Sequence, residues 1–512
     1  MQTLKKSSIL FTLLLYLFLG CKEKTHEKNN LDNSLLEVSG NTSAQPYFEK
    51  GLLLLHSFEY ADAREEFINA QKADSNMLMA YWGEAMTYNH TLWAEQDFEK
   101  ATAAIKKITD ANNVETLTPL EQDFIHSITV LYQPEKTKAE RDNAYSNYLA
   151  EMYKKYPENQ EVAAFYALSI LGTVQEGRDV IVYEKGASIA QKVLDVNPNH
   201  PGALHYLIHS YDDPEHAHLA LDAANKYSKV APYAAHALHM PSHIYLALGM
   251  WDEVISSNEH SYQASVDRME RKQLDNDARG YHSYHWLEYG YLQKERLDDA
   301  EKLVWDMQTY TNATTSQRSK THLVYLKGTY LVETNQWNSA VADIPIDVSD
   351  LNIAVRAQYS FMEGMKAFSK KDNIALDKVI ADLHTDYEIE SLQVQDVMDA
   401  HCASLDGNAV TSTNIQHCKI VEAQLLALSA WLENDIVATD AWFKKSITLE
   451  ESVGYSYGPP EIQKPTHELY ADWLLTQNRG EDAILQYNYT LQKAPERMLA
   501  LKGKQKAEKT ID

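Results

Sequence analysis

An all-α array of stacked helical hairpins is the fold this sequence predicts, and three observations predict it. Glycine (18) and proline (14) are scarce among 512 residues, so little in the chain interrupts helices. Apolar residues recur at three- and four-residue spacing almost throughout, the period of a helix face. Small and bulky residues also repeat in register, with units 167–200, 201–234 and 235–268 following one another without a gap. A fixed period of that length marks a repeat array. An array also accounts for the size of the chain. The roughly 470 residues beyond position 44 are long for one compact core, whereas stacked units each bury an apolar face on a neighbour.

The chain begins with something else. Lys5 and Lys6 precede an apolar run from Ile9 to Leu19, which closes in Phe18-Leu19-Gly20-Cys21. A basic start, a short apolar core and a small residue before a cut are the parts of a secretory signal, and the run is too short to span a bilayer. The Leu-Gly-Cys ending resembles the lipobox of bacterial lipoproteins, with Phe18 where leucine is usual. That resemblance implies a signal peptide over 1–20 and lipidation at Cys21. It also implies residence in the cell envelope as an outer-membrane lipoprotein, periplasmic or surface-facing, with membrane contact through the lipid anchor only. An ordinary signal peptide with an incidental cysteine is the plain alternative. Residues 21–43 are polar and short of large apolar side chains, the composition of a flexible tether. The array then runs over 44–504.

The first unit, 44–77, shows the logic. Tyr47, Gly51 and Leu54 line one helix, Phe58-Glu59-Tyr60 makes the bend, and Ala63, Phe67 and Ala70 line the return helix. Gly51 and Ala63 are small where the two helices cross closely. Here the sequence resembles the tetratricopeptide repeat family, whose unit is a 34-residue helix–turn–helix pair with small residues at positions eight, twenty and twenty-seven. The fold implied is a tetratricopeptide-type solenoid. Further good copies are 201–234, 235–268, 281–314 (Leu287, Tyr291, Ala300), 321–354 (Gly328, Trp337, Ala340) and 464–497 (Gly480, Ala483, Pro495). Weaker ones lie at 78–111, 167–200, 357–390 and 419–452. The stretch 112–166 is helical but fits the unit poorly, and 391–418 reads as a loop insertion. Cys402 and Cys418 flank that loop, each following a histidine (His401, His417). In an exported chain they predict a disulfide; a His-Cys plus His-Cys metal site is the sharper alternative.

Eleven of the twenty histidines fall between His200 and His285, within the His-rich repeats 201–314. His205 and His209 stand at the fifth and ninth positions of one unit, and His236, His239 and His243 at the second, fifth and ninth of the next. His282 and His285 take the second and fifth positions of a third. Residues four apart share a helix face, and those three apart nearly do, so the histidines form stripes on successive helices. The tetratricopeptide resemblance implies that these positions, with Asp212 and Tyr289, face a concave groove. Trp82 and His90 are placed there too, at its N-terminal end. The blocks His205–Asp212, His236–His243, Tyr281–Tyr289 and Gly458–Glu468 also resemble a group of exported bacterial tetratricopeptide lipoproteins with a His-rich groove.

Packed helices lie about 8–10 Å apart, so imidazoles from neighbouring helices can meet around one ion. The expected ligands are His205, His209, His239 and His243, with His236, Asp212 and His282 close behind. Neutral imidazole suits zinc, copper, nickel or ferrous iron. Two other readings stand beside the metal: groove histidines that hold a peptide or organic ligand, and histidines that bridge helices by hydrogen bonding alone.

A net charge of −26 argues against a nucleic-acid partner, which needs a basic stripe. The sequence contains no HExxH and no Gly-rich phosphate loop, so the chain does not announce an enzyme. The leading expectation is an exported, lipid-anchored solenoid whose His-lined groove binds a transition metal (zinc, copper or iron), a metal-bound ligand, or a peptide of a protein partner. The alternatives are glycan capture of the kind performed by SusD-like lipoproteins, which are similar in length and lipid anchor, and a protein assembly scaffold.

Overall fold

The computed structural model describes residues 35–111, 113–175, 177–392, 394 and 410–511. The chain divides into two units, Met1–Glu37 and Val38–Asp512. The expected signal, lipidation at Cys21 and most of the tether lie outside the described residues, as does Cys402. The helical array is the second unit.

That unit is a succession of antiparallel helical hairpins. Helices α1 (Gln45–His56) and α2 (Tyr60–Ala73) form the first, and α3 (Leu78–Met86) and α4 (Phe98–Ala111) the second. Between α3 and α4 lies a short antiparallel ladder, β1 (Asn89–His90) with β2 (Glu95–Gln96), which pairs Asn89 with Gln96. Next come α5 (Pro119–Leu131), α6 (Lys138–Lys155), α7 (Gln160–Leu171) and α8 (Val180–Val196). Thr118 with Glu121 and Thr137 with Glu140 start α5 and α6 by reciprocal capping boxes, which satisfy otherwise orphaned N–H groups.

The His-rich repeats supply α9 (Pro201–Ser210), α10 (Leu221–Val230), α11 (Ala235–His239), α12 (Pro241–Ala247), α13 (Trp251–Lys272), α14 (Tyr281–Gln293) and α15 (Leu297–Ala313). The C-terminal part comprises α16 (Gln317–Thr334), α17 (Ile353–Ser369), α18 (Asn373–Ser391), α19 (Ser412–Leu432), α20 (Ile436–Glu451), α21 (Thr466–Thr476), α22 (Gly480–Lys493) and α23 (Met498–Ile511). The architecture is the expected all-α solenoid of helical hairpins. Its close crossings are those the sequence marks: a Cβ added at Gly51 or at Gly83 would lie within 3.0 Å of the Phe67 ring, so one phenylalanine is clamped between two glycines.

Three sequence expectations need correction. The unit 321–354 has a first helix, α16, but no second. Trp337 is buried, yet only a 3-10 turn at Val341–Asp343 comes after it, because Pro345 holds Ile344 extended and cannot donate to a helical ladder. The unit 167–200 is out of register: α7 begins at Gln160, capped by Asn159, and a long connection before Val180 displaces α8 from the expected register. The loop insertion ends earlier than 418. Cys418 lies inside α19 as a free, buried thiol that donates to the Asn414 carbonyl at 3.2 Å. Burial first, with the Arg356 charge opposing, pushes that thiol up to about 12.

The array is closed upon itself rather than open along its length. At the N-terminal side Asp62 of α2 pairs with Arg268 (2.5 Å) and Lys272 (2.9 Å) of α13, and Glu59 accepts the His236 N–H at 3.0 Å. At the C-terminal side the Trp251 indole donates to the Glu496 carbonyl at 3.1 Å. The fully buried Arg497 joins Glu468 (2.7 Å) of α21 to Glu333 (2.6 Å) of α16. Both ends therefore press on α11–α16, and the histidine stripes lie beneath them.

Candidate metal centre

Two separate three-histidine sets occupy the middle of the array: His205, His209 and His236 form one, and His239, His243 and His282 the other. Within each set the candidate ligand nitrogens all lie within 4.8 Å of one another. Helix α9 brings His205 and His209 together one turn apart, with their Nε2 atoms 3.1 Å apart. His236 Nε2 reaches His205 Nε2 at 3.2 Å from the next hairpin. In the second set His239 and His243 place their Nε2 atoms 3.0 Å apart. His282, on α14, brings its ring to 4.7 Å from that of His239.

The division between sets has a local cause. His236 and His239 are three residues apart on the short helix α11, so they diverge by about 60° around its axis. His236 meets His205 of α9, whereas His239 meets His282 of α14. Pro241, which offers no N–H to continue the ladder, separates α11 from α12, and His243 of α12 joins His239. The sequence expectation of one ion held by His205, His209, His239 and His243 is thus corrected: those four residues divide between two sets, and His236 and His282 complete them.

Each set is oriented from behind. His205 Nδ1 donates to the backbone carbonyl of His56 at 2.6 Å. His239 Nδ1 donates to Asn258 Oδ1 at 2.7 Å, and Asn258 Nδ2 in turn donates to the Val254 carbonyl, which fixes the amide orientation. His243 Nδ1 donates to Asp212 Oδ2 at 2.5 Å. Because these acceptors take the Nδ1 protons, the neutral rings turn bare Nε2 lone pairs into the site. Burial first, and neighbouring imidazoles next, hold His205, His209, His236, His239 and His282 well below the usual histidine value. Neutral rings are the form a metal requires. His282 opens to solvent at the mouth, but the concave walls around it still remove enough water to disfavour its charge.

Aromatic rings floor both sets. Phe58 lies 4.3 Å from His205 and 5.6 Å from His236 between ring centroids, in a left-handed backbone conformation at φ 57°. Trp286 lies 4.5 Å from His243 and 4.8 Å from His239. The mouth is aromatic as well. Trp93, 47% exposed, stands 5.9 Å from His236; Tyr457, 51% exposed, stands 5.4 Å from His243. Tyr457 belongs to the segment between α20 and α21, which crosses the site. There Gly458, at φ 100°, lets the backbone lie on Trp286, where a Cβ would meet the ring at 2.5 Å.

The remaining expected residues take other places. Asp212 is buried and orients His243, and its Oδ1 has no hydrogen-bond partner. His90 stacks on Tyr60 at 4.1 Å and flanks Trp93, at the mouth but outside both sets. His285 donates to or accepts from Thr329 at 2.8 Å and stacks on Tyr325; burial first and His322 second take it down to about 3. Two expectations fail. Trp82 is a core residue wedged between Phe124 and Phe165, because α5 and α7 pack over its face of α3. Tyr289 is buried against Trp251, with its hydroxyl accepting from Arg497 at 2.9 Å, because the C-terminal hairpin covers that face. Sequence reasoning missed Asn258, Phe58 and Tyr457 as parts of the site. It also missed the buried group behind it, where Glu161 lies 2.8 Å from His56 and 3.1 Å from His200.

No family model matches this chain, and no curated protein matches it. Among solved structures, yeast Tom70 is similar with a TM-score of 0.33 at 12% identity, over 91% of this chain and 95% of that one. Human IFIT1, crystallised as a dimer with m7Gppp-AAAA, gives a TM-score of 0.37 at 11% identity over 90% and 95%. The tetratricopeptide domain of P58(IPK) gives 0.21 at 12% identity over 91% and 98%.

Proposed function

We propose that this helical-hairpin array is a metal-binding protein whose two three-histidine sets each hold one transition-metal ion. One observation carries the reading. His239 and His243 face each other with Nε2 atoms 3.0 Å apart, and each has its Nδ1 proton directed to an oxygen acceptor. Two bare lone pairs at that distance repel unless a cation lies between them. Burial favours the neutral, metal-ligating form of His239. Tetrahedral ligands at metal–nitrogen distances of 2.0–2.1 Å stand about 3.3 Å apart, close to the separations in both sets. Asp212 behind His243 completes the carboxylate–histidine arrangement that raises ligand basicity.

Six imidazoles without a thiolate suit copper, zinc or ferrous iron. Three protein ligands per ion leave a position open, the pattern of sites that take a further ligand rather than purely structural ones. The basic start, the apolar run Ile9–Leu19 and Cys21 support placing this protein in the cell envelope, held by a lipid.

The test is metal content by plasma mass spectrometry on the untagged chain from Lys22 onward. About two equivalents of a transition metal per chain are expected, as purified or after incubation with zinc, copper or iron. No bound metal under any of these conditions would sink the reading.

A further inference from the structure

We infer that the centre takes a vicinal aromatic diol, a catechol, with its ring held between Trp93 and Tyr457 and its two oxygens directed to the two ions. The inference rests on the metal reading above and names the ligand of that site. Three observations lead to it.

The two sets are neighbours. The rings of His209 and His243 lie 6.0 Å apart between centroids, and those of His236 and His239 6.3 Å. Ions held in the two sets would therefore be close enough for one ligand with two adjacent donor atoms to reach both.

The charge calls for an anionic donor. Two divalent ions would face six imidazoles, and the carboxylates bonded to the set residues are Asp212 on His243 and Glu59 on the His236 N–H. Positive charge stays in surplus among mostly buried rings, where it attracts an oxygen anion strongly. A catechol supplies two such oxygens. As each hydroxyl ligates, a metal–oxygen bond forms, a bound water leaves, and the hydroxyl proton passes to solvent.

The mouth selects an aromatic body. Trp93 is packed edge-on against Phe58, Tyr60 and His90 at 5.4, 5.9 and 6.0 Å, so its indole is fixed while about half its surface faces solvent. Tyr457 stands in the same way beside the second set, supported by His243. A half-exposed aromatic ring beside each set offers faces and edges for a planar ring and little for a compact inorganic anion.

Titration of the zinc-loaded protein with 4-nitrocatechol, a catechol with its own visible chromophore, is the experiment, with metal content measured on every sample; zinc does not oxidise the ligand. The visible band of the deprotonated, metal-bound catecholate should saturate. Trp93→Ala and Tyr457→Ala should each raise the apparent Kd roughly three- to tenfold while still holding two ions. Inorganic phosphate should compete only at far higher concentration. No such band from a protein that holds two ions would overturn the catechol assignment and leave the metal centre standing. The assignment falls equally, with the metal centre intact, if both variants bind catechol as the wild type does, or if phosphate displaces it mole for mole. A protein that takes up no metal overturns both.

Discussion

His239 at the end of α11 and His243 in α12 point their Nε2 atoms at each other across 3.0 Å, while Asn258 and Asp212 hold the opposite ring nitrogens. The equivalent contact in the first set is His205 with His209 at 3.1 Å, backed by the His56 carbonyl. The two arrangements are built alike on different helices, and each gains its third imidazole from the next hairpin.

Stoichiometry separates two centres from one. His236→Ala removes a ligand of the first set only, and His282→Ala one of the second only. Each variant should lose about one of two metal equivalents by plasma mass spectrometry, and the double variant nearly all, with the helical circular dichroism unchanged. A single ion on His205, His209, His239 and His243 would instead leave the content of both single variants as in the wild type.

Asp212 tests the support behind the ligands. Its Oδ2 takes the His243 Nδ1 proton at 2.5 Å, and a carboxylate there both fixes the tautomer and strengthens the ligand. Asp212→Asn keeps the shape and removes the charge. Affinity of the second set should fall about 10- to 100-fold, read by competition with a chromophoric chelator, while the first set is unaffected. Equal weakening of both sets would mean that Asp212 acts on the fold and not on His243.

The helices were legible where the chain repeats its small residues on schedule. In 44–77 the Gly51–Phe67 contact is both the sequence signal and the packing fact. The signal misled where one local residue overrides the period, as Pro345 does by cancelling the return helix expected at 337–354. The histidines were legible as stripes because helical periodicity places side chains on a face. Their division into two sets was not. It depends on which neighbouring helix each ring meets: His236 and His239, three residues apart on α11, reach α9 and α14 respectively. The closure over the groove was equally hidden, since it joins Glu59 to His236 and Glu496 to Trp251 across 177 and 245 residues. Tyr289 was misplaced for that reason, since the C-terminal segment of Arg497 covers its face; Trp82 was misplaced because α5 and α7, which fit the repeat unit poorly, pack over its face of α3.

Acid should destabilise the metal-free protein in a defined window. His285 and His322 are held down to about 3 and about 4, each by burial first, and five of the six set histidines lie well below the usual value. In the unfolded chain all titrate near 6.5. Below that pH the unfolded state binds more protons than the folded state, so stability falls as pH falls, down towards the folded values. The melting temperature of the apo protein should decline steadily from pH 7 to pH 5. His285→Gln should shallow the slope, and a melting temperature flat across that window would contradict these neutral, water-poor environments.

Glu161 is the last link behind the centre, and its effect should be mainly on stability. Its side chain is fully buried between His56 and His200, at 2.8 and 3.1 Å. Burial alone would raise the carboxyl, but the two imidazoles outweigh it and hold Glu161 at about 2. Glu161→Ala leaves both histidines without their carboxylate inside the protein, a change of the kind that destabilises by about 3–5 kcal/mol. Glu161→Gln keeps the volume and should lose less. The backbone of His56 also carries the carbonyl that orients His205, so loosening this group should reach the first set before the second. Thermal unfolding measures the first effect and metal content at limiting metal measures the second. If Glu161→Ala melts like the wild type, or empties the second set first, the buried carboxylate does not support His205 through His56.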